Sequence, residues 1–225
     1  QRWLLNSVCD NRRYYCDPGN PRGLKTKEVE QLLDVIEVSG AGAARGFTHG
    51  QARAQQIGEA VRALRQQLHE SGVDVDAVTD RLIDSELTNT ALTCTPDLWN
   101  EVTGIASGAE VALVDILLLT FLDEVWSFTG GLGCSVAARS SAAFLGQTMD
   151  LPLWTSGRLM ILRVKAEDKP TALVMSYPGM IGLCGANDSG LGVAVNALEQ
   201  FTADSSGLGV AFIMRHLLTL KSLGE

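Results

Sequence analysis

The hydrophobic pattern of this chain changes period once, and the change falls on a glycine-rich step, Thr129-Gly130-Gly131-Leu132-Gly133. Before that step, apolar residues recur at helical spacing. Ile57, Val61, Leu64 and Leu68 share one face of a long helix, with Thr48 as the expected N-cap and Gly72 as the expected stop. A short strand, Leu33 to Val38, precedes it. Further helices are expected from Asp76 to about Leu87, after Thr95-Pro96, and from about Val114 to Trp126. At Thr95-Pro96 the threonine is expected to cap and the proline to take the first turn. After the glycine step come short β-rich runs: Cys134–Arg139, Phe144–Asp150, Leu159–Ala166, Thr171–Ser176 and Leu191–Asn196. Val210 to Leu220 reads as a closing helix. Helices followed by consecutive short strands predict an α+β layered fold.

This pattern divides the chain into an irregular arm (1–33), a mostly helical part (34–133) and a strand-rich part (134–225). With 225 residues, 46% hydrophobic and 20% charged, the composition is that of a globular protein able to bury a core. A net charge of −8 argues against nucleic acid or an anionic membrane as partner. No apolar run approaches the roughly 20 residues needed to span a bilayer. The longest, Val111 to Phe121, is interrupted by Asp115. The chain begins at Gln1, not Met, so its true N-terminus could be missing; the lack of a visible secretory signal therefore leaves the compartment open, with the cytoplasm slightly favoured. Five cysteines, Cys9, Cys16, Cys94, Cys134 and Cys184, form no Cys-x-x-Cys pair, and the histidines are scattered, so no metal and no cofactor is expected. Cys9 and Cys16 could close a small loop or stay reduced; the sequence leaves both open.

Chemistry points to Gly133-Cys134-Ser135. If the Gly133–Cys134 bond breaks, Cys134 carries both a thiol and a free α-amine. That amine, with a reference pKa of about 8, can serve as the base for the thiol, so no histidine is required. A buried cysteine opening a core strand is the plain alternative. The surrounding residues weigh against it.

Four segments carry a resemblance. The first is Glu37-Val38-Ser39-Gly40 with Arg45-Gly46-Phe47-Thr48-His49-Gly50. The second is Gly104-Ile105-Ala106-Ser107-Gly108-Ala109 with Asp115-Ile116-Leu117. The third is Gly133-Cys134-Ser135 with Gly146-Gln147-Thr148-Met149-Asp150. The fourth runs from Gly179-Met180-Ile181-Gly182 through Asn187-Asp188-Ser189-Gly190-Leu191 to Asn196-Ala197-Leu198. In this order and spacing they resemble the acyl-CoA:6-aminopenicillanic acid acyltransferase-like family of N-terminal nucleophile hydrolases, over about residues 35 to 220.

The resemblance implies a precursor that cuts itself before Cys134. The products would be an α fragment and a catalytic β fragment that stay associated in a four-layered αββα sandwich. It implies Cys134 as nucleophile, Asp150 as the partner of the new α-amine, and Asn196 as oxyanion donor. The expected substrate is a small-molecule amide or an acyl-CoA-like thioester. The chain departs from the family pattern at Thr148, where Asn is usual, and only residues 135–225 follow Cys134, fewer than the family's β fragment has. A partial chain is therefore expected.

Read from the residues alone, Cys134 and Asp150 lie at the open end of one hairpin. Asn196 ends an apolar run, where oxyanion donor and turn cap are equally good readings. Gln147, Trp154 and Arg158 are candidate substrate contacts. Either Arg158 or Arg163, at the Leu159–Ala166 strand, could recognise a substrate carboxylate, and solvent-facing alternation explains both as well. Arg45 reads best as an ion-pair or helix-terminal residue, and His49 as a packing or capping one. Asn187-Asp188-Ser189-Gly190 reads as a turn. The competing function is an inactive or truncated relative that keeps its helical half for binding. A cysteine–histidine thiol enzyme would need His49 or His216 beside Cys134, and no motif supports it.

Overall fold

A computed structural model describes residues 34–126, 134–142, 144–196 and 206–224. The arm at 1–33 with Cys9 and Cys16, the glycine step with Gly133, and residues 197–205 lie outside the described residues. Among the described residues one strand is followed by seven helices, then six strands and a closing helix, so the α+β expectation holds at that level. The helices are α1 (Gly42–Ala52), α2 (Ala54–Glu70), α3 (Val75–Ile83), α4 (Glu86–Cys94), α5 (Pro96–Ala109), α6 (Leu113–Thr120), α7 (Leu122–Trp126) and α8 (Val210–Leu217). The strands are β1 (Asp34–Ser39), β2 (Cys134–Arg139), β3 (Phe144–Met149), β4 (Met160–Lys165), β5 (Ala172–Ser176), β6 (Cys184–Asn187) and β7 (Gly192–Val193). Among the described residues they form a mixed sheet in the order β1-β4-β5-β6-β7, with β1 and β4 parallel, and a separate antiparallel β2–β3 hairpin.

The long helix expected to begin at Thr48 is two helices. Thr48 sits inside α1, its hydroxyl donating to the Ala44 carbonyl at 2.9 Å. No apolar stripe announces α1, because its packing face is glycine. A Cβ on Gly46 would lie 1.9 Å from the Glu101 carbonyl oxygen, and one on Gly50 would lie 2.3 Å from that of Ile105. From the other side, a Cβ on Gly104 would meet the Ala43 carbonyl at 2.4 Å and one on Gly108 the Phe47 carbonyl at 2.3 Å. Backbone therefore packs on backbone where α1 crosses α5, which only glycine permits. The first two segments of the resemblance are the two sides of this seam.

α2 follows its apolar face, burying Ile57, Ala60, Val61, Leu64 and Leu68. It ends where the sequence places its end. Gly72 takes φ +78°, and the Val73 N–H returns to the Leu68 carbonyl at 3.0 Å. The single helix expected from Asp76 to Leu87 is instead α3 and α4, each with its own cap. Asp74 accepts from the Ala77 N–H at 3.0 Å and Ser85 from the Thr88 N–H at 3.2 Å. At α5, Pro96 opens the first turn as expected, but Thr95 does not cap, because its hydroxyl donates back to the Ala91 carbonyl at 2.9 Å. The helix expected over 114–126 breaks at Phe121 into α6 and α7.

β4 alternates between two apolar clusters: Met160, Leu162 and Val164 lie in one with Ile36, Val38 and Val174, and Ile161 in another with Met175, Cys184 and Met214. Both its faces are covered, as its nearly continuous apolar sequence requires. Leu191–Asn196 is strand only at Gly192–Val193, and the sequence reading missed β6. The turn at Asn187–Gly190 forms as expected, with Asn187 Oδ1 accepting from the Ser189 and Leu191 N–H groups. No described helix is long and apolar enough to cross a membrane.

Candidate active site

Two polar centres stand out. The first is buried and joins the helices to the sheet. Arg45 donates from Nε to Glu101 Oε2 at 2.8 Å, from Nη2 to Asp97 Oδ2 at 2.6 Å and from Nη1 to the Gly40 carbonyl at 2.5 Å. Arg215 of α8 grips the same Glu101 with two bonds, at 2.7 and 2.9 Å, and also donates to the Ile181 carbonyl at 2.6 Å. Burial pushes the Glu101 carboxyl up, but Arg215 and Arg45 outweigh it and hold it below the usual carboxylate range. Asp97 also takes the Gly42 N–H at 2.8 Å, capping α1, which has no side-chain cap of its own. His49 accepts from the Gly179 N–H at 3.2 Å. Burial lowers its pKa to about 4, so it is neutral. The ion-pair reading of Arg45 and the packing reading of His49 both hold, and neither residue lies in a chemical constellation. Nothing in the local sequence pattern marks Glu101 or Arg215.

The second centre is the β2–β3 hairpin. Its register places Cys134 opposite Met149, Val136 opposite Gln147 and Arg139 opposite Phe144. Asp150 is the next residue after β3 and is exposed. Cross-strand partners and residues two apart share a face, so Cys134, Met149, Val136 and Gln147 project to the same side. On that side the Gln147 side chain reaches the segment after β7. Its Nε2 donates to the Val195 carbonyl, and its Oε1 accepts from the Val195 N–H at 3.3 Å. The next residue is Asn196, which is exposed. Cys134 is half-buried. The buried thiol of Cys184 on β6 is pushed up to about 11, chiefly by burial and then by Cys134, so the two sulfurs are electrostatic neighbours. The hairpin thus gathers Cys134, Gln147 and the Val195–Asn196 segment, with Asp150 following directly on β3.

The remaining candidates sit elsewhere. Trp154 packs its ring edge-on to Tyr177, with centroids 5.4 Å apart, and its Nε1 is buried without a hydrogen-bond partner among the described residues. Arg158 donates to the Trp154 carbonyl and lies 3.7 Å from Glu59 of α2. Arg163 pairs across to Glu37 at 3.8 Å, as solvent-facing alternation predicts. Burial raises the Tyr177 hydroxyl well above its usual range, and Asp123 adds to it. Burial also lifts the Glu124 carboxyl to about 7, while its Oε1 accepts from the Val210 N–H at 2.6 Å at the start of α8. None of these last groups was visible in the sequence, because burial of acid and hydroxyl groups follows from packing alone. No cluster of metal-ligating side chains exists among the described residues.

With this geometry in hand, comparison with known proteins is informative. Over 187 residues the chain is 28% identical to the "acyl-coenzyme A:6-aminopenicillanic-acid-acyltransferase 40 kDa form" of Emericella nidulans. The chain is similar to an acyltransferase. The match takes in 80% of this chain and 51% of that relative, so the chain spans about half the length of the curated protein it matches. It bears out the resemblance read from the four segments. No family model matches the chain. Two of those segments build the α1–α5 seam, a third is the β2–β3 hairpin, and the fourth begins at Gly179, whose N–H donates to His49. Gly179 has φ +92°, and a Cβ there would meet Leu119 Cδ1 at 2.6 Å.

Proposed function

We propose that this chain is part of a self-processing N-terminal nucleophile acyltransferase or amide hydrolase. Residues 34–133 would be its α fragment and residues 134–225 the start of its catalytic fragment, in a four-layered αββα sandwich. The observation that carries the reading is the hairpin register. It sets Cys134 at the open end of β2, one residue out of step with Asp150, on the face that Gln147 ties to the segment leading to Asn196.

In the mature enzyme the α-amine of Cys134 takes the thiol proton. The thiolate attacks the acyl carbonyl carbon, a C–S bond forms, and the carbonyl oxygen becomes an oxyanion that accepts from the Asn196 amide. Collapse breaks the bond to the leaving group, an amine or a coenzyme A thiolate, which recovers the proton from the Cys134 ammonium. Water or an amine acceptor then takes the acyl group from the thioester. Asp150 holds the α-ammonium by a charge-assisted hydrogen bond. The relative's name supports an acyl-coenzyme A donor and a small amine acceptor for this site.

Trapping the thioester tests the reading. Full-length protein is incubated with acetyl-, hexanoyl- or octanoyl-coenzyme A, quenched in acid and mapped by peptide mass. The expected result is one acyl group on the peptide that begins at Cys134. Acylation of another residue, or turnover of the donors with Cys134 never acylated, would contradict it.

A further inference from the structure

The sequence offers Gln147 as a substrate contact, yet both polar ends of its side chain are engaged by one backbone unit. Nε2 donates to the Val195 carbonyl and Oε1 accepts from the Val195 N–H at 3.3 Å. This pair of bonds is the pattern by which one strand residue holds another in an antiparallel ladder. It falls where the ladder has ended, since β7 pairs with β6 only at Gly192 and Val193. Beyond Val193 ladder bonds no longer fix the backbone, and Val195 meets the sheet only through its side chain, which packs against the cluster of Ile161, Met175, Cys184 and Met214. Gln147 shares its hairpin face with Cys134, two residues from Cys134's cross-strand partner Met149. The segment bearing Asn196 is thereby held to the element bearing the nucleophile.

We propose that Gln147 is a positioning residue that fixes the Asn196 amide relative to the Cys134 sulfur by clamping the Val195 backbone, and that it does not bind substrate. This rests on the reading of Asn196 as oxyanion donor. An oxyanion donor is effective only if its place is set before charge develops, and a misplacement of about 1 Å costs on the order of 10²-fold. The clamp supplies that fixity where sheet pairing does not.

Two electrophiles separate this role from others without knowledge of the natural substrate. p-Nitrophenyl acetate acylates a thiolate through an oxyanion, whereas iodoacetamide alkylates it by direct displacement with no oxyanion. Both rates are measured at Cys134 in matured full-length protein, per titrated Cys134, for Gln147→Met, Gln147→Glu, Asn196→Ala and the double variant Gln147→Met/Asn196→Ala. Gln147→Glu keeps the acceptor for the Val195 N–H and loses the donor to its carbonyl, so it serves if Gln147→Met does not mature.

Acylation should fall about tenfold or more in Gln147→Met and less in Gln147→Glu, with alkylation within twofold of the parent. In the Asn196→Ala background, itself slowed by roughly 10²–10³, the Gln147 change should cost little more, because both act on one interaction. Losses that simply multiply, or a full acylation rate in Gln147→Met beside a slow Asn196→Ala, would overturn the clamp and leave the oxyanion reading intact. Equal loss of acylation and alkylation would reassign Gln147 to the thiol itself. A full rate in Asn196→Ala would overturn both readings.

Discussion

Glu101 is 1% exposed and faces two guanidinium groups, Arg45 and Arg215, that are 2% and 3% exposed. Asp97 shares Arg45, but its side chain is 60% exposed, so the compensation inside the protein falls on Glu101. Removing one member of a buried charge group leaves the others unpaired, which costs about 3–5 kcal/mol. Glu101→Gln keeps the shape and removes the charge. Denaturant unfolding should show a loss of that order, and a change below about 1 kcal/mol would mean that water already screens the arginines. At this scale the sequence was half legible. Arg45 could be assigned an ion pair from its place beside a helix terminus. Its partner could not, because Glu101 is brought to it by the α1–α5 crossing and Arg215 by α8, contacts that local pattern does not encode. The hold of Gln147 on the Val195 backbone was not legible, since the two lie 48 residues apart and only the fold brings them together.

The elements divide by how they announce themselves. α2 carries a stripe of Ile57, Val61, Leu64 and Leu68 and was readable to its last turn, where Gly72 stops it. α1 was misread because its buried face is Gly42, Arg45, Gly46, His49 and Gly50, glycines and polar groups that make no apolar stripe. The signal that would have found it is the four-residue spacing of these glycines, repeated at Gly104 and Gly108 across the seam. The same substitution should therefore have opposite signs in adjacent helices. Gly46→Ala puts a methyl 1.9 Å from the Glu101 carbonyl and must push α1 off α5, for a loss of about 1–3 kcal/mol or more. Gly58→Ala in α2 meets only the end of Arg62 at 3.4 Å and removes a helix-interior glycine, for a gain of about 0.5–1 kcal/mol. Paired thermal melts check both, and a destabilised Gly58→Ala or a neutral Gly46→Ala would contradict the seam. The strands were legible by composition. β6 was missed because Cys184-Gly185-Ala186-Asn187 has little β character and pairs by position between β5 and β7.

On the scale of the whole molecule, the helices and the sheet meet through a large apolar cluster to which α2, α5, α6 and α8 contribute and which Tyr177, Met180, Ile181 and Leu183 enter from the sheet side. The hairpin with Cys134 meets that cluster through Met149. β2 is exposed beyond its first residue, and Val136 and Phe144 are 38% and 42% exposed. Mixed α+β architecture and the β2–β3 hairpin that opens at Cys134 were readable in order from the sequence, while the burial that supports them was not. In the proposed maturation this hairpin begins a new chain. Intact mass of the full-length protein after expression, with N-terminal sequencing of its fragments, decides it. Self-processing should give two chains that co-purify, the second beginning at Cys134, and one unbroken chain when Cys134→Ala is made. An active protein that remains a single chain, or a Cys134→Ala variant that still divides before residue 134, would contradict it.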